Sequence, residues 1–341
     1  MIEPVDQQAA IAARTRIDML TKPLGSLGRI EELAVQLAAI AGKIPATAYE
    51  RKAVIVGAAD HGVAVEGVSA YPQEVTGQMV LGFLGGFAAV NAFSRMARAD
   101  VYVADFGILE PIVHDTLIDA RIRAGTRNFA REAALTDDEV NDALHAGAEV
   151  LDGILARHTY DVLAVGDMGI ANTTSAAATI AALCNADPQE ITGRGTGIDD
   201  AGRERKIAMI TAALERVERS DWRSVAREVG GLEILGLAGV MLAAAARKIP
   251  IVLDGVIVAA AALLADAIDP NIRGYFIASH LSVEPAHRVA LTHIGLRPYL
   301  DLDLRLGEAT GAVLALPLIE AASRMICEMH TFAEAGVSSA S

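Results

Sequence analysis

Residues 160–183 read "YDVLAVGDMGIANTTSAAATIAAL". A β-branched run ends at Gly166-Asp167, a tight turn holds Gly166 and Gly169, and Asn172-Thr173-Thr174 open a stretch of helix length. That order is strand, turn, helix. Four more runs follow the same grammar. "KAVIVGAAD" (52–60) ends at Asp60, and "ADVYVADFGI" (99–108) ends near Asp105 and Gly107. "IPIVLDGVI" (249–257) ends at Asp254-Gly255, and "GYFIAS" (274–279) ends at Ser279, just before His280. Ala/Leu-rich stretches of helix length separate them. Alternation of this kind predicts an α/β fold with a mostly parallel, doubly wound sheet. In such sheets ligands gather at the carboxyl ends of the strands, where these polar residues would converge.

The ends of the chain read differently. "DQQAAIAARTRIDML" and "RIEELAVQLAAIAGK" are amphipathic around "TKPLGSLG", and the last forty residues are helical in pattern. We therefore expect a small helical domain built from residues 1–50 and about 305–341, beside an α/β domain over 51–304. The final "GVSSAS" reads as a loose tail.

Composition narrows the class. Apolar residues make up 52% of the 341-residue chain but aromatics only 4%. That mix suits helices packed closely on a parallel sheet, not an aromatic-rich β fold. A net charge of −14 without a Lys/Arg cluster argues against nucleic-acid binding. Cys184 and Cys327 stand in apolar helical contexts, not in a CxxC pair, and read as buried reduced thiols. The run 249–268 is the most membrane-like, yet it carries Asp254, Gly255 and Asp266 and reads as a buried strand followed by a buried helix. A cytoplasmic chain without a membrane span is expected.

Several stretches could carry chemistry. The start of the helix after Gly169 could bind a phosphate through backbone N–H groups and Thr hydroxyls, or could simply be capped by Asn and Thr. It is neither a Gly-Lys-Ser/Thr loop nor a G-x-G-x-x-G fingerprint. "GRGTGIDDAGRERKI" (193–207) offers Arg203, Arg205 and Lys206 to an anion, or to solvent. "VGGLEILGLAGVML" (229–242) spaces small residues as close helix packing requires. In "ADHGVAVEGVSAYPQEVTGQMV" (59–80), Asp60 and His61 could pair, or could anchor the loop. In "LRLGEATGAVLALPLIEAA" (304–322), Glu308 stands alone among small residues before an apolar run. It could complement a helix dipole or act as an acid or base in a dry pocket. The histidine and cysteine spacings predict no metal site.

Taken in order, "KPLGSLGRIEELAVQLA", "ADHGVAVEGVS", "GDMGIANTTSAAA", "VGGLEILGLAGVMLAAA", "LDG", "SHLSVE" and "RLGEATGAVLALPLIEAA" span nearly the whole chain. In them it resembles the nicotinate-nucleotide:5,6-dimethylbenzimidazole phosphoribosyltransferases. The resemblance implies a mostly parallel Rossmann-like doubly wound α/β domain with a small helical domain from both termini, in a homodimer that needs no cofactor and moves phosphoribose from nicotinate mononucleotide to 5,6-dimethylbenzimidazole or a related aromatic base. It implies Glu308 as the catalytic base and Asp167 as a second carboxylate, where many members carry Glu. It implies a nucleotide and phosphate site of Gly169, Asn172, Thr173, Lys206 and Ser282, with Lys206 reaching from its own or from the partner subunit. It also implies an aromatic-base pocket of Tyr71, Met79 and Met168. Two other readings stand beside it, a non-catalytic subunit of a heteromeric relative and a nicotinate-nucleotide glycohydrolase.

Overall fold

A computed structural model describes residues 2–195 and 197–338, so the last three residues of the expected tail lie outside the described residues. Among the described residues, six strands form one sheet: β1 Lys52–Ala59, β2 Ala99–Gly107, β3 Leu117–Asp119, β4 Val162–Met168, β5 Ile251–Leu253 and β6 Phe276–Ala278. Every pairing in it is parallel, and the order is β3-β2-β1-β4-β5-β6. This is the strand order of dinucleotide-binding folds, and its direction of winding reverses between β1 and β4. A two-stranded ribbon, β7 His280–Leu281 and β8 Leu300–Asp301, lies beyond β6.

Helices fill the connections. α1 Gln7–Met19 and α2 Arg29–Ala41 precede β1, and α3 Val75–Leu84 and α4 Ala89–Ala97 join β1 to β2. α5 Asp137–Leu155 leads into β4. Between β4 and β5 run α6 Asn172–Leu183, α7 Pro188–Ile191, α8 Asp200–Leu214, α9 Trp222–Val229 and α10 Leu232–Ala246. α11 Val256–Ile268 joins β5 to β6, and α12 Pro285–Ile294 joins β7 to β8. α13 Thr310–Glu328 and α14 Phe332–Ala335 close the order.

Side chains alternate along a strand, so each strand feeds two cores. Ile55, Phe106, Leu163 and Leu253 pack with α5, α6, α10 and α11 on one face. Val54, Val56, Ala164 and Val252 pack with α1, α2, α4 and α13 on the other. The ends of the chain thus meet against one face of the sheet. β1 is buried at all eight positions, which explains its continuous apolar run.

Two segments are long and apolar enough to cross a membrane, Val75–Ala97 and Thr310–Glu328. A turn at Gly85 and Gly86 breaks the first, and the second packs against α2 and the sheet. The stretch 249–268 is β5 followed by buried α11, as its pattern predicts. The small residues of α10 serve packing: a Cβ on Gly239 would lie 2.0 Å from Leu144 O.

Candidate active site

The carboxyl ends of β4, β5 and β6 bring Asp167, Asp254 and Ser279-His280 to one side of the sheet. The segment leading into α13 crosses them. There Gly307, Glu308 and Ala309 take φ of 85°, 61° and 65°, three successive left-handed residues. Glycine adopts this region freely, but each other residue costs about 1–2 kcal/mol. The surroundings hold the run in place. A Cβ on Gly166 would lie 2.1 Å from Ala309 N, so only glycine lets β4 approach so closely. Thr310 Oγ1 donates to Gly307 O at 2.7 Å. Ala309 offers α13 no side-chain cap, and Asp254 Oδ1 accepts instead from the Ala312 N–H at 2.9 Å.

Glu308 is 5% exposed, and its Oε2 has no hydrogen-bond partner among the described residues. Burial foremost, and then the Asp254 charge, push its carboxyl up to about 7. Of the two readings of this residue, helix capping falls instead to Asp254. Asp167 is buried as well. Its Oδ2 accepts from Asn172 Nδ2 at 2.9 Å, and its Oδ1 has no partner among the described residues. Burial, with Asp254, Glu233 and Glu308 nearby, raises it well above the ordinary carboxylate range, against the Asn172 hydrogen bond.

Asp167, Met168, Asn172, Thr173, His280 and Ser282 help line a cavity of about 90 Å³, and Gly307 of the α13 approach closes it. Gly195, Glu284 and Arg305 are shared with an adjoining groove of about 790 Å³. Together the two offer the several hundred cubic ångströms that a nucleotide needs.

The loop 193–198 and α8 supply the basic side. Lys206 is wholly buried and donates to Thr173 Oγ1 of its own chain at 2.8 Å. Burial lowers its ammonium to about 8, opposed by Glu284. Glu284 Oε1 accepts from Gly195 N at 2.9 Å. Of the three cations in this stretch, Arg203 is spent on the carbonyls of Thr192 and Gln189, and Arg205 is exposed. α6 begins after Ala171, at φ 72° and without a side-chain cap. Asn172 and Thr173 serve Asp167 and Lys206, so the simple capping reading of these residues is replaced. Gly169 allows the turn, since a Cβ there would lie 2.4 Å from Ala59 O. Ser282 N donates to His287 Nδ1 at 2.9 Å.

Of the expected base pocket, Met168 lines the cavity. Met79 and Met168 are both half-buried against the same apolar cluster. Tyr71 is 54% exposed, in the loop before α3. His61 does not pair with Asp60. Its Nδ1 meets Ser175 Oγ at 3.0 Å and its Nε2 meets Glu233 Oε1 at 2.7 Å, all wholly buried. Asp60 Oδ2 anchors the loop through Leu109 N at 2.8 Å. Glu233 escaped the sequence reading. Its one signal is a lone acid in an otherwise apolar helix. Among the described residues no His, Cys, Asp or Glu cluster is arranged to hold a metal ion.

Known proteins carry the same plan. Residues 2–337 match a family model described as phosphoribosyltransferase. The nicotinate-nucleotide–dimethylbenzimidazole phosphoribosyltransferase of Chloroflexus aurantiacus is 50% identical over 99% of this chain and 96% of that relative. The protein of the same description from Thermus thermophilus is 49% identical over 98% of this chain and 99% of its own length. A crystal structure of the nicotinate-nucleotide-dimethylbenzimidazole phosphoribosyltransferase from Thermus thermophilus matches with a TM-score of 0.93 at 48% identity. That match covers 98% of this chain and 100% of the other. Close sequence similarity over the full length, with the fold unchanged, is decisive: this chain belongs to the phosphoribosyltransferase family.

Proposed function

We propose that the protein transfers phosphoribose from nicotinate mononucleotide to 5,6-dimethylbenzimidazole or a related aromatic base, giving nicotinate and α-ribazole 5′-phosphate. Lys206, Thr173, Gly169, Asn172 and Ser282 hold the nucleotide and its phosphate, with Lys206 acting within its own subunit. Met168, Met79 and Tyr71 cover the flat acceptor ring, as Met and Tyr side chains suit. One ring nitrogen of the acceptor attacks the anomeric carbon as the bond to nicotinate breaks. Nicotinate leaves with that electron pair as a neutral ring, and the proton on the other acceptor nitrogen passes to Glu308. Attack from the face opposite the leaving group converts a β-nucleotide into an α-riboside. Asp167, its carboxyl raised above the ordinary range by burial and the neighbouring acids, orients substrate beside the base. The scheme needs no metal or organic cofactor.

The observation that carries this reading is Glu308, a buried carboxylate held near 7 with one oxygen unpartnered among the described residues. A base is most effective when its pKa lies near the working pH. We further propose that the enzyme is a cytoplasmic homodimer, with residues 1–50 and 305–341 as its helical part beside a catalytic part of 51–304. The exposed Leu81, Phe87 and Met96 of the α3–α4 region would suit a partner subunit, and the two free thiols suit a reducing compartment. Incubating the purified chain with nicotinate mononucleotide and a panel of aromatic bases, read by product mass, tests the reading. A base-dependent riboside phosphate is expected. Nicotinate released equally without any base would mark a glycohydrolase, and no turnover would mark a non-catalytic subunit.

A further inference from the structure

We infer that Asp254 is a positioning residue for the Glu308 carboxylate: it caps α13 from a different element and stands as a second carboxylate beside the base. The inference rests on the reading of Glu308 as the base.

α13 starts without a cap, directly after two left-handed residues that are not glycine. Strain of this kind persists only where neighbouring contacts over-determine it. Asp254, at the end of β5, supplies the missing contact. It is 1% exposed and accepts from Ala312 N; burial raises its carboxyl above the ordinary range, opposed by His280 and by the amides of Ala312, Gly311 and Ala309. A carboxylate in this place complements the positive end of a 19-residue helix. Losing it would free the segment that carries Glu308.

The groups around Asp254 set it apart from the two neighbouring acids. Ser279 Oγ donates to Leu253 O at 2.6 Å, so it can only accept from His280 Nδ1, 3.0 Å away. His280 Nδ1 therefore carries a proton, and it lies 3.8 Å from Asp254 Oδ1. His280 packs on the first turn of α13, where a Cβ on Gly311 would lie 2.0 Å from its Nδ1. His287 of α12, 5.8 Å from His280 between ring centres, is pushed down to about 3 by burial and stays neutral. From β4, Asp167 faces Asp254 with one hydrogen-bond donor, Asn172, and with Glu233 of α10 against it. Glu308 faces it from the α13 approach with one oxygen unpartnered. Arg305 lies further out, on the cavity lining. Of the three acids, Asp254 is the one with helix amides and an imidazole N–H at hand, and its Oδ2, like Asp167 Oδ1 and Glu308 Oε2, has no partner among the described residues.

The test uses the full-length enzyme, nicotinate mononucleotide and 5,6-dimethylbenzimidazole, with kcat and KM followed from pH 5 to 9. Asp254→Asn keeps an oxygen for Ala312 N–H and removes the charge. Relative to wild type, which cancels substrate ionisation, its acid limb should move down by about one pH unit. Asp254→Ala also loses the cap, so its plateau kcat should fall about tenfold or more while the nucleotide KM changes less than about twofold. Nucleotide binding and circular dichroism confirm folding, and Asp254→Ser repeats the limb measurement if the Asn variant does not fold. An acid limb that coincides with wild type in the neutral variant overturns the inference. Full turnover in Glu308→Gln overturns the reading of the base instead, so the two failures are distinct.

Discussion

Glu308→Gln should make the protein more stable at neutral pH while it loses activity. Below about pH 4.5 the Glu308 carboxyl is protonated in both folded and unfolded chains. Between 4.5 and about 7 the folded protein keeps a proton that the unfolded chain releases, so stability falls as pH rises. Above 7 both states are ionised and the loss is complete. Holding this carboxyl at about 7 instead of 4.5 corresponds to about 3 kcal/mol, at about 1.4 kcal/mol per tenfold change in acidity. Gln is nearly isosteric and does not titrate. Constant differences in packing or hydrogen bonding between the two proteins cancel when they are compared across pH. The stability of the variant relative to wild type should therefore grow by about 3 kcal/mol from pH 4.5 to 8. With about 2.1 cal/mol/K of unfolding entropy per residue, that is about 4 °C in Tm for this chain. Paired thermal melts of the two proteins across that range, followed by circular dichroism, read it directly. An offset in Tm that is the same at pH 5 and pH 8 would refute the reasoning, because Glu308 would then titrate as an ordinary exposed acid.

Two predictions concern the substrates. Lys206→Met keeps the buried stem and removes the charge, so nicotinate mononucleotide should bind roughly 10- to 150-fold more weakly, the worth of about 1.5–3 kcal/mol for a hydrogen bond to a charged group. Binding of nicotinate riboside should hardly change, and wild-type nucleotide affinity, by titration calorimetry, should fall as pH rises through about 8, where the ammonium of the empty site deprotonates. An equal loss for riboside and nucleotide would remove Lys206 from the phosphate site. Tyr71→Ser and Met79→Gln should change the product ratio between two competing aromatic bases by an amount equivalent to about 1–3 kcal/mol, with nucleotide affinity unchanged. An unaltered ratio in both folded variants would return these residues to loop bracing and core filling.

The frame of the fold was legible because burial on both faces leaves a plain mark. β1, β2, β4, β5 and β6 are the five β-branched runs, and the polar residues at the ends of β4, β5 and β6 meet on one side of the sheet. β7 and β8 span only two residues each, and β3, as short as β5 and β6, is only partly buried and so lacks their apolar run. Within the candidate site, the chemistry of the residue types was readable and their conformation was not. Glu308 stood out as a lone acid before an apolar helix, but its left-handed backbone is imposed by Gly166 and Asp254, far away in sequence. Lys206 sits in a charged run that reads equally well as solvated, and only the folded chain shows that this one cation turns inward to Thr173. Glu233 was hidden by its own helix, whose small residues have an ample packing explanation. Its role depends on His61, which arrives from the loop after β1.

The central claim is that Glu308 removes a proton from an incoming aromatic base during phosphoribosyl transfer. The most direct measurement follows nicotinate mononucleotide and 5,6-dimethylbenzimidazole with wild type and Glu308→Gln, by NMR of the anomeric proton and by product mass. Wild type should release nicotinate and form α-ribazole 5′-phosphate in equal amounts. Glu308→Gln, folded and still binding nucleotide, should turn over at least about a hundredfold more slowly. Near-normal turnover in that variant, or nicotinate release by wild type without an α-riboside product, would contradict the account.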